Sequence, residues 1–191
     1  MIVEGLLTTV KDDGSPHVAP MGPVVNQSLT QWTLRPFQTS TTFQALRHYP
    51  FGIFHVVDDV LPVARAALGI EHAFAFEPHE TGGFILPDAC RWFRLEVIDW
   101  NTDDPRSEAR ARVHSSATLR DFWGWNRAKH AVLEAAIIGT RKHLIPAVEL
   151  ARGIEQLRSP VEKTGGAREL QAWAEICEHL ELPALAIKAG T

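Results

Sequence analysis

Cysteine is scarce in this chain of 191 residues, which contains only Cys90 and Cys177. Two thiols so far apart are too few for a disulfide framework and lack the spacing of a zinc site. The histidines are scattered and show no metal-ligating pattern, so we expect no bound metal.

Long apolar runs are also missing. No segment approaches the roughly 20 apolar residues that a membrane-spanning helix requires. The first residues have neither the basic region nor the apolar stretch of a secretory signal. We therefore expect a cytoplasmic protein with no membrane partner.

An excess of positive charge is the third absence. Lysine and arginine together number 19 against 23 acidic residues, which gives a net charge of −4 at pH 7. Binding along a nucleic acid requires clustered basic residues, so we expect no nucleic-acid partner. A small anionic ligand needs only one or two well-placed cations and is compatible with this composition.

What is present is an ordinary globular composition, with 45% hydrophobic and 22% charged residues. Short β-branched runs separated by turns fill the first half and predict a small barrel. Predicted strands include Ile2–Val10, Pro16–Val25, Leu29–Leu34, Phe51–Val57, Trp92–Trp100 and Ala109–Thr118. Short helices are predicted from about Thr42 to His48, with Thr41 and Gln44 at capping-box spacing, and over Val60–Ala67.

The second half has helical periodicity instead. Helices are predicted over Asn126–His143, from Pro146 to about Arg158, and over Ala167–Leu180. The fold class is therefore mixed α+β: a barrel domain in residues 1–120 and a helical extension in residues 121–191.

The segment from Pro16 to Gly22 is the first candidate binding surface. Pro20 and Pro23 cannot donate hydrogen bonds to a neighbouring strand, so part of this strand must lie at an edge or face something other than a strand. Glycine lets another molecule approach the backbone closely. A flat heteroaromatic ring would suit such a surface, although a kinked edge strand accounts for the segment equally well.

The second candidate combines Arg35 with Ser40, Thr41 and Thr42 at a helix start. Free N–H groups at a helix N-terminus, hydroxyl donors and a guanidinium together suit a phosphate. Plain helix capping uses the same residue types but accounts for only one hydroxyl. A phosphate site and plain helix capping therefore explain these residues about equally well.

The third candidate is Asn126 with Arg127, at the start of the longest predicted helix. Asn126 suits the N-cap position, whereas Arg127 places a cation where the helix dipole disfavours it. This arrangement hints at an anionic partner. A salt bridge to one of the acidic residues is the alternative.

Several of these segments, in this order, resemble a known family. The strand beginning at Glu4-Gly5, the Asp13-Gly14 turn and the His17–Gly22 strand resemble the FMN-binding split barrels of the flavin-reductase and pyridoxamine-phosphate-oxidase kind. Other segments resemble a prokaryotic subfamily of these barrels that is labelled a domain of unknown function and carries a helical extension. They are Arg35-Pro36-Phe37, Ser40-Thr41-Thr42, Asp58-Asp59-Val60 and Gly124–Lys129 followed by Glu134–Ile137. Trp125 stands where phenylalanine is expected.

The resemblance implies an FMN-binding split β-barrel that forms a homodimer with flavin at the interface. It implies that the backbone of Val18, Ala19, Pro20, Met21 and Gly22 contacts the flavin ring. It also implies that Arg35 and Ser40–Thr42 contact the phosphate, and we extrapolate a flavin contact to Asn126 and Arg127.

The expected function is therefore FMN binding, with flavin-dependent oxidoreduction as the leading activity. The electron donor would be a reduced nicotinamide or a deazaflavin, and no catalytic side chain is assigned. Two alternatives stay open: a non-catalytic flavin carrier or sensor, and a structural dimer with an unused pocket.

Overall fold

A computed structural model describes residues 1–182 of the chain, and these residues form two compact units. Unit 1 consists of Met1–Val57 and Ala73–Phe122, and unit 2 consists of Asp58–His72 and the residues from Trp123 onward. The sequence places one division near residue 120. The contacts add the interior segment Asp58–His72 to the helical unit, because its apolar face packs on the helices that follow residue 123.

Unit 1 is a curled sheet with one helix. Its strands are β1 (Gly5–Val10), β2 (Pro16–Met21), β3 (Val24–Val25), β4 (Gln31–Leu34), β5 (Phe51–Val56), β6 (Glu77–Pro78), β7 (Phe84–Ile85), β8 (Arg91–Asn101) and β9 (Glu108–Thr118). Seven of them form one antiparallel sheet in the order β2-β1-β5-β8-β9-β4-β3, and β6 pairs with β7. The helix α1 spans Thr41–His48.

The curl of the sheet follows from how its two edges are joined. Strand β2 ends at Met21 and β3 begins at Val24, yet these strands occupy opposite ends of the sheet order. Only a strongly curled sheet lets so short a connection join them. Backbone hydrogen bonds from Val3 N to Pro23 O and from Val25 N to Met1 O hold β3 against the start of the chain. The mixed α+β split barrel predicted from the sequence is therefore confirmed.

The barrel encloses an apolar core. Leu7, Trp32, Phe54, Phe93 and Leu95 are among its most buried members, each at most 3% exposed. The ring of Trp32 lies 5.1 Å from that of Phe54 and 5.0 Å from that of Phe93, distances typical of tilted aromatic pairs. This core fixes the curvature on which both sites described below depend.

Within residues 1–182, unit 2 contains five helices: α2 (Val60–Leu68), α3 (Arg127–Gly139), α4 (Ala147–Gln156), α5 (Arg158–Thr164) and α6 (Ala167–His179). Asp59 caps α2, and Gly69 ends it in the left-handed conformation at φ 68°. Arg65 of α2 forms a two-bond ion pair with Glu175 of α6, at 2.7 and 2.5 Å. None of the helices within residues 1–182 is long and apolar enough to cross a membrane.

Three helix boundaries differ from the sequence prediction. The N-cap of α1 is Ser40 rather than Thr41, because the Ser40 hydroxyl accepts from Phe43 N. Helix α3 ends at Gly139 rather than at His143, and a Cβ at position 139 would lie only 2.9 Å from Cδ2 of Leu68. The helix predicted from Pro146 to about Arg158 is α4, which ends at Gln156 because Pro160 has no N–H to donate to the Gln156 carbonyl; the following helix α5 was not predicted.

Candidate functional site

Strand β2 lies at one end of the seven-stranded order and pairs only with β1. An edge strand presents one row of backbone N–H and C=O groups that no neighbouring strand uses. All six residues of β2 are half-buried, so the strand lines a partly enclosed surface. The edge position predicted from Pro20 and Pro23 is confirmed, since Pro20 lies in this edge strand and Pro23 lies in the connection that follows it.

The close approach at the end of β2 involves Gly22 and the side chain of Glu4. A Cβ at Gly22 would lie 2.7 Å from a carboxylate oxygen of Glu4. The flexible Glu4 side chain could move, so a small side chain at Gly22 is tolerable. At Gly5 a Cβ would lie 2.3 Å from the backbone oxygen of His55, so glycine is required there.

Three hydroxyl groups stand at the start of α1. Ser40 acts as the cap and also donates to Phe37 O at 2.7 Å. Thr42 is buried, and its Oγ1 lies 3.2 Å from Nε2 of His17. Thr41 is exposed, and its hydroxyl has no hydrogen-bond partner among residues 1–182. The backbone N–H groups of Thr41 and Thr42 are likewise available to an acceptor within this part of the chain.

The His17–Thr42 contact joins the two segments that the sequence proposed for the ring and the phosphate of one ligand. Burial lowers the pKa of His17, with a smaller effect of the Lys11 charge in the same direction. From His17 to Met21 the strand rises about 13 Å, at roughly 3.3 Å per residue. Pro16–Gly22 and Ser40–Thr42 therefore form one elongated surface, called here the β2–α1 strip.

Arg35 follows β4 and is half-buried. Its Nε is buried without a hydrogen-bond partner in the described structure, while its carbonyl accepts from Arg106 Nε at 3.1 Å. Buried donors in proteins are almost always paired, so an unpaired one points to a ligand or solvent partner. The arginine therefore has the donor capacity that the sequence proposed for it.

A shallow cleft of about 300 Å³ adjoins the strip, lined by Lys11, Asp12, Asp13, Thr41, Gln44 and Ala45. The sequence reasoning did not single out Lys11, because only the folded hairpin brings the β1–β2 turn to the start of α1. Lys11 lies 4.0 Å from Asp13, whose carboxylate also accepts from Ser15. The acidic side of this cleft disfavours an anion, so a phosphate would favour the Thr41 side.

Asn126 and Arg127 belong to unit 2. Oδ1 of Asn126 accepts from Lys129 N at 3.1 Å, and its Nδ2 donates to Thr164 O at 2.9 Å. The predicted N-cap role of Asn126 is confirmed. Arg127 is exposed, and a contact of either residue with flavin stays a prediction.

No cluster of three or more metal-ligating side chains occurs among the residues that the structure describes.

The buried titratable groups of the barrel have internal partners. Arg94, 2% exposed, donates to Thr81 O and Gly82 O and lies 3.9 Å from the centroid of the Phe51 ring. This arginine fixes the loop between β6 and β7.

Comparisons with known proteins agree with this architecture. Residues 3–120 match the family described as the N-terminal domain of a protein of unknown function, DUF447, and residues 126–178 match its second model, DUF447. No match is found among the curated proteins.

Among solved structures, an FMN-bound DUF447 protein from Methanosarcina mazei is similar to this chain with a TM-score of 0.80 and 24% identity. The likeness covers 93% of this chain and 94% of that one.

Two more distant structures share the barrel. Nitrilotriacetate monooxygenase component B from Mycobacterium thermoresistibile has a TM-score of 0.53 and 14% identity, over 62% of this chain and 71% of its own. The styrene monooxygenase flavin reductase of Pseudomonas putida S12 has a TM-score of 0.51 and 15% identity. The match covers 61% of this chain and 81% of the reductase. At these identities the likeness establishes the fold.

Proposed function

The chain belongs to the DUF447 family, and from that premise we propose that it binds FMN along the β2–α1 strip. The family's protein from Methanosarcina mazei is described as FMN-bound, and its fold matches this chain over 93% of its length. The observation that carries the proposal is the buried Nε of Arg35, which has no hydrogen-bond partner within residues 1–182 and precedes the N-terminus of α1, where backbone donors are open.

The phosphate of FMN would be held at the α1 end of the strip. The backbone N–H groups of Thr41 and Thr42 and the Thr41 hydroxyl are donors there, and we propose that the Arg35 guanidinium reaches the same phosphate. The dipole of α1 also favours an anion at this end. Ser40 contributes indirectly, because its hydroxyl already caps the helix.

The ring of FMN would lie along Val18–Gly22. The open edge of β2 offers backbone donors and acceptors to the polar rim of the ring, except at Pro20. The half-buried side chains of Val18, Ala19 and Met21 offer apolar contact. The strand thus matches a flat heterocycle without requiring a charged side chain.

We further propose that the protein is an oxidoreductase that works as a homodimer with flavin at the interface. Bound FMN would supply the redox chemistry, while the protein contributes position and electrostatics. A reduced nicotinamide or a deazaflavin would be the electron donor. The open edge of β2 supports the dimer, because a second chain could cover the backbone N–H and C=O groups that have no neighbouring strand in this chain.

The binding proposal is tested by titrating the purified protein with FMN and with riboflavin, which lacks the phosphate. Arg35→Ala should weaken FMN binding about 10- to 100-fold, since a hydrogen bond to a charged group contributes about 1.5–3 kcal/mol. The same variant should leave riboflavin binding nearly unchanged. Quenching of flavin fluorescence measures both affinities.

Arg47→Ala is the matched control, because Arg47 is an exposed arginine in the last turn of α1. It should bind FMN as the parent protein does. A parent protein that binds neither flavin would contradict the proposed function. A protein that binds FMN but oxidises no nicotinamide or deazaflavin would contradict the oxidoreductase part alone.

A further inference from the structure

A second cleft of about 300 Å³ opens at one end of the barrel in unit 1. It lies where β5 and β9 end and β8 begins, with Val56, Thr118 and Arg91 in its lining. None of its lining residues belongs to the β2–α1 strip. We call it the mouth cleft, and the residues that define its chemistry are Arg91, Phe93, Arg120, Asp121 and Phe122.

The mouth cleft presents planar groups to a ligand. The guanidinium carbon of Arg91 lies 4.5 Å from the centroid of the Phe93 ring, so the ring holds it in place. Phe93 is itself fixed in the barrel core against Trp32. Phe122 lines the same cleft and is 47% exposed. Arginine planes and phenylalanine rings both stack on aromatic ligands.

The lining of the mouth cleft includes two arginines, Arg91 and Arg120, and one aspartate, Asp121. The Arg91 side chain forms no ion pair within residues 1–182; it lies over the Phe93 ring and donates a 3.5 Å hydrogen bond to Ser116 Oγ. Arg120 is held by donating to Asp88 O at 3.1 and 2.8 Å and to Asp121 O at 3.2 Å. Both arginines of the lining are therefore held in position, Arg91 by the Phe93 ring and Arg120 by backbone oxygens.

The mouth cleft lies at the same end of the sheet as Met21. Gly5 pairs with Met21 across β1 and β2, Leu6 pairs with His55, and Val56 pairs with Arg91. Met21 and Arg91 thus lie on strands that are three strands apart in the sheet, which is about 14 Å measured across the sheet. The α1 end of β2 lies at the opposite end of the strand.

We propose that the mouth cleft binds a small aromatic anion, a one- or two-ring compound carrying a carboxylate or a phosphate. Its volume is at the lower limit for small-molecule pockets, which suits such a compound better than a dinucleotide. If the proposed function holds, this anion is the second substrate, bound at the same end of the sheet as the flavin ring. Binding of the anion itself does not depend on flavin.

The test is isothermal titration of the full chain, with and without saturating FMN, using 2-naphthoate and adenosine monophosphate as the two kinds of anion. We expect at least one of them to bind. 2-Naphthamide, which keeps the rings and loses the charge, should bind at least tenfold more weakly than 2-naphthoate if the carboxylate is preferred. If the phosphate is preferred, adenosine should bind at least tenfold more weakly than adenosine monophosphate.

Arg91→Gln should weaken binding of the preferred anion at least tenfold and leave its uncharged counterpart unaffected. Arg110→Gln is the matched control, because Arg110 is an exposed arginine of β9 outside the cleft. Arg91→Lys should recover part of the affinity, since it restores charge without the planar group. Thermal unfolding of each variant confirms that it is folded.

Three results would overturn the proposal: binding of neither anion, equal losses in Arg91→Gln and Arg110→Gln, or displacement of the anion by FMN. Displacement would mean that the mouth cleft is the flavin site itself. If the protein binds one of the anions but does not bind FMN, the proposed function is rejected and the proposal for the mouth cleft stands. The two failures are therefore distinguishable.

Discussion

The hydroxyl groups of Ser40, Thr41 and Thr42 have different surroundings, although they are neighbours in the sequence. Ser40 caps α1, Thr42 lies against His17, and Thr41 faces solvent and the cleft beside Lys11. Two of the three hydroxyls therefore have structural partners. Thr41 alone combines an open hydroxyl with an open backbone N–H, which makes it the residue of the three best suited to contact a phosphate.

His55 shows how one buried side chain links stability to pH. It is fully buried on β5; Leu86 N donates to its Nε2 at 3.0 Å, and its Nδ1 lies 3.3 Å from Leu6 O. Only the neutral ring with its proton on Nδ1 makes both bonds. Burial lowers the pKa of His55 from 6.5 to about 4.

The folded pKa of His55 lies below its unfolded value, so protonation favours the unfolded chain. Its contribution is complete above pH 6.5 and is lost as the pH falls from 6.5 towards 4. We expect about 2 kcal/mol of this contribution to be lost by pH 5. In His55→Gln, the decrease in unfolding free energy between pH 7.5 and pH 5 should be smaller by about that amount.

Urea unfolding at the two pH values measures this difference. The same substitution at the exposed His143 controls for the loss of one imidazole. An identical pH dependence in the parent protein and His55→Gln would contradict the role assigned to His55.

Among the elements, β2 and α3 illustrate what local sequence can and cannot specify. Prolines in β2 exclude a central position in a sheet, and the strand does lie at an edge. Asn126 favours a helix start, and α3 does begin after it. Neither pattern predicts whether the edge of β2 or the N-terminus of α3 contacts a ligand.

Asn126 can be tested for both roles. Asn126→Ala should lower the free energy of unfolding by about 1–2 kcal/mol, since the N-cap is lost. Asn126→Ser should keep most of that stability because serine also caps. If Asn126 also contacts flavin, both variants should bind FMN several-fold more weakly in the fluorescence titration.

Asp59→Ala is the comparison variant, because Asp59 caps α2 in the same unit. It should lose stability and keep its affinity for FMN. Unchanged FMN binding in both Asn126 variants would restrict Asn126 to its capping role and remove it from the flavin site.

At the scale of the whole molecule, the two units have separate apolar cores. The core of unit 2 includes Leu61, Val132, Trp173 and Ile176, each at most 1% exposed. Helix α2 contributes to this core although it lies between two barrel strands in the sequence. The chain therefore enters unit 2 twice.

The proposed dimer predicts a particle of twice the 21.2 kDa chain mass, with one FMN per chain. Light scattering after size exclusion measures the mass, and flavin absorbance against protein concentration measures the stoichiometry. Because the flavin is proposed to lie at the interface, dilution into the monomer range should also weaken FMN binding. A monomer that binds FMN at full affinity would contradict the shared site.

The amino-acid sequence by itself determined the mixed α+β class, the edge position of β2 and the caps of α2 and α3. Each depends on a local property: proline has no N–H, Asp and Asn side chains accept from nearby backbone donors, and Gly69 tolerates positive φ. These effects act within a few residues and so can be recognised from the sequence.

Only the tertiary structure decided that His17 meets Thr42, that Arg35 Nε is buried unpaired, and that a cationic cleft forms around Arg91. It also decided that α2 packs with the later helices. These arrangements join residues that are distant in the sequence, and they depend on how far the sheet curls. Curl is set by the packing of the whole core, and no local pattern specifies it.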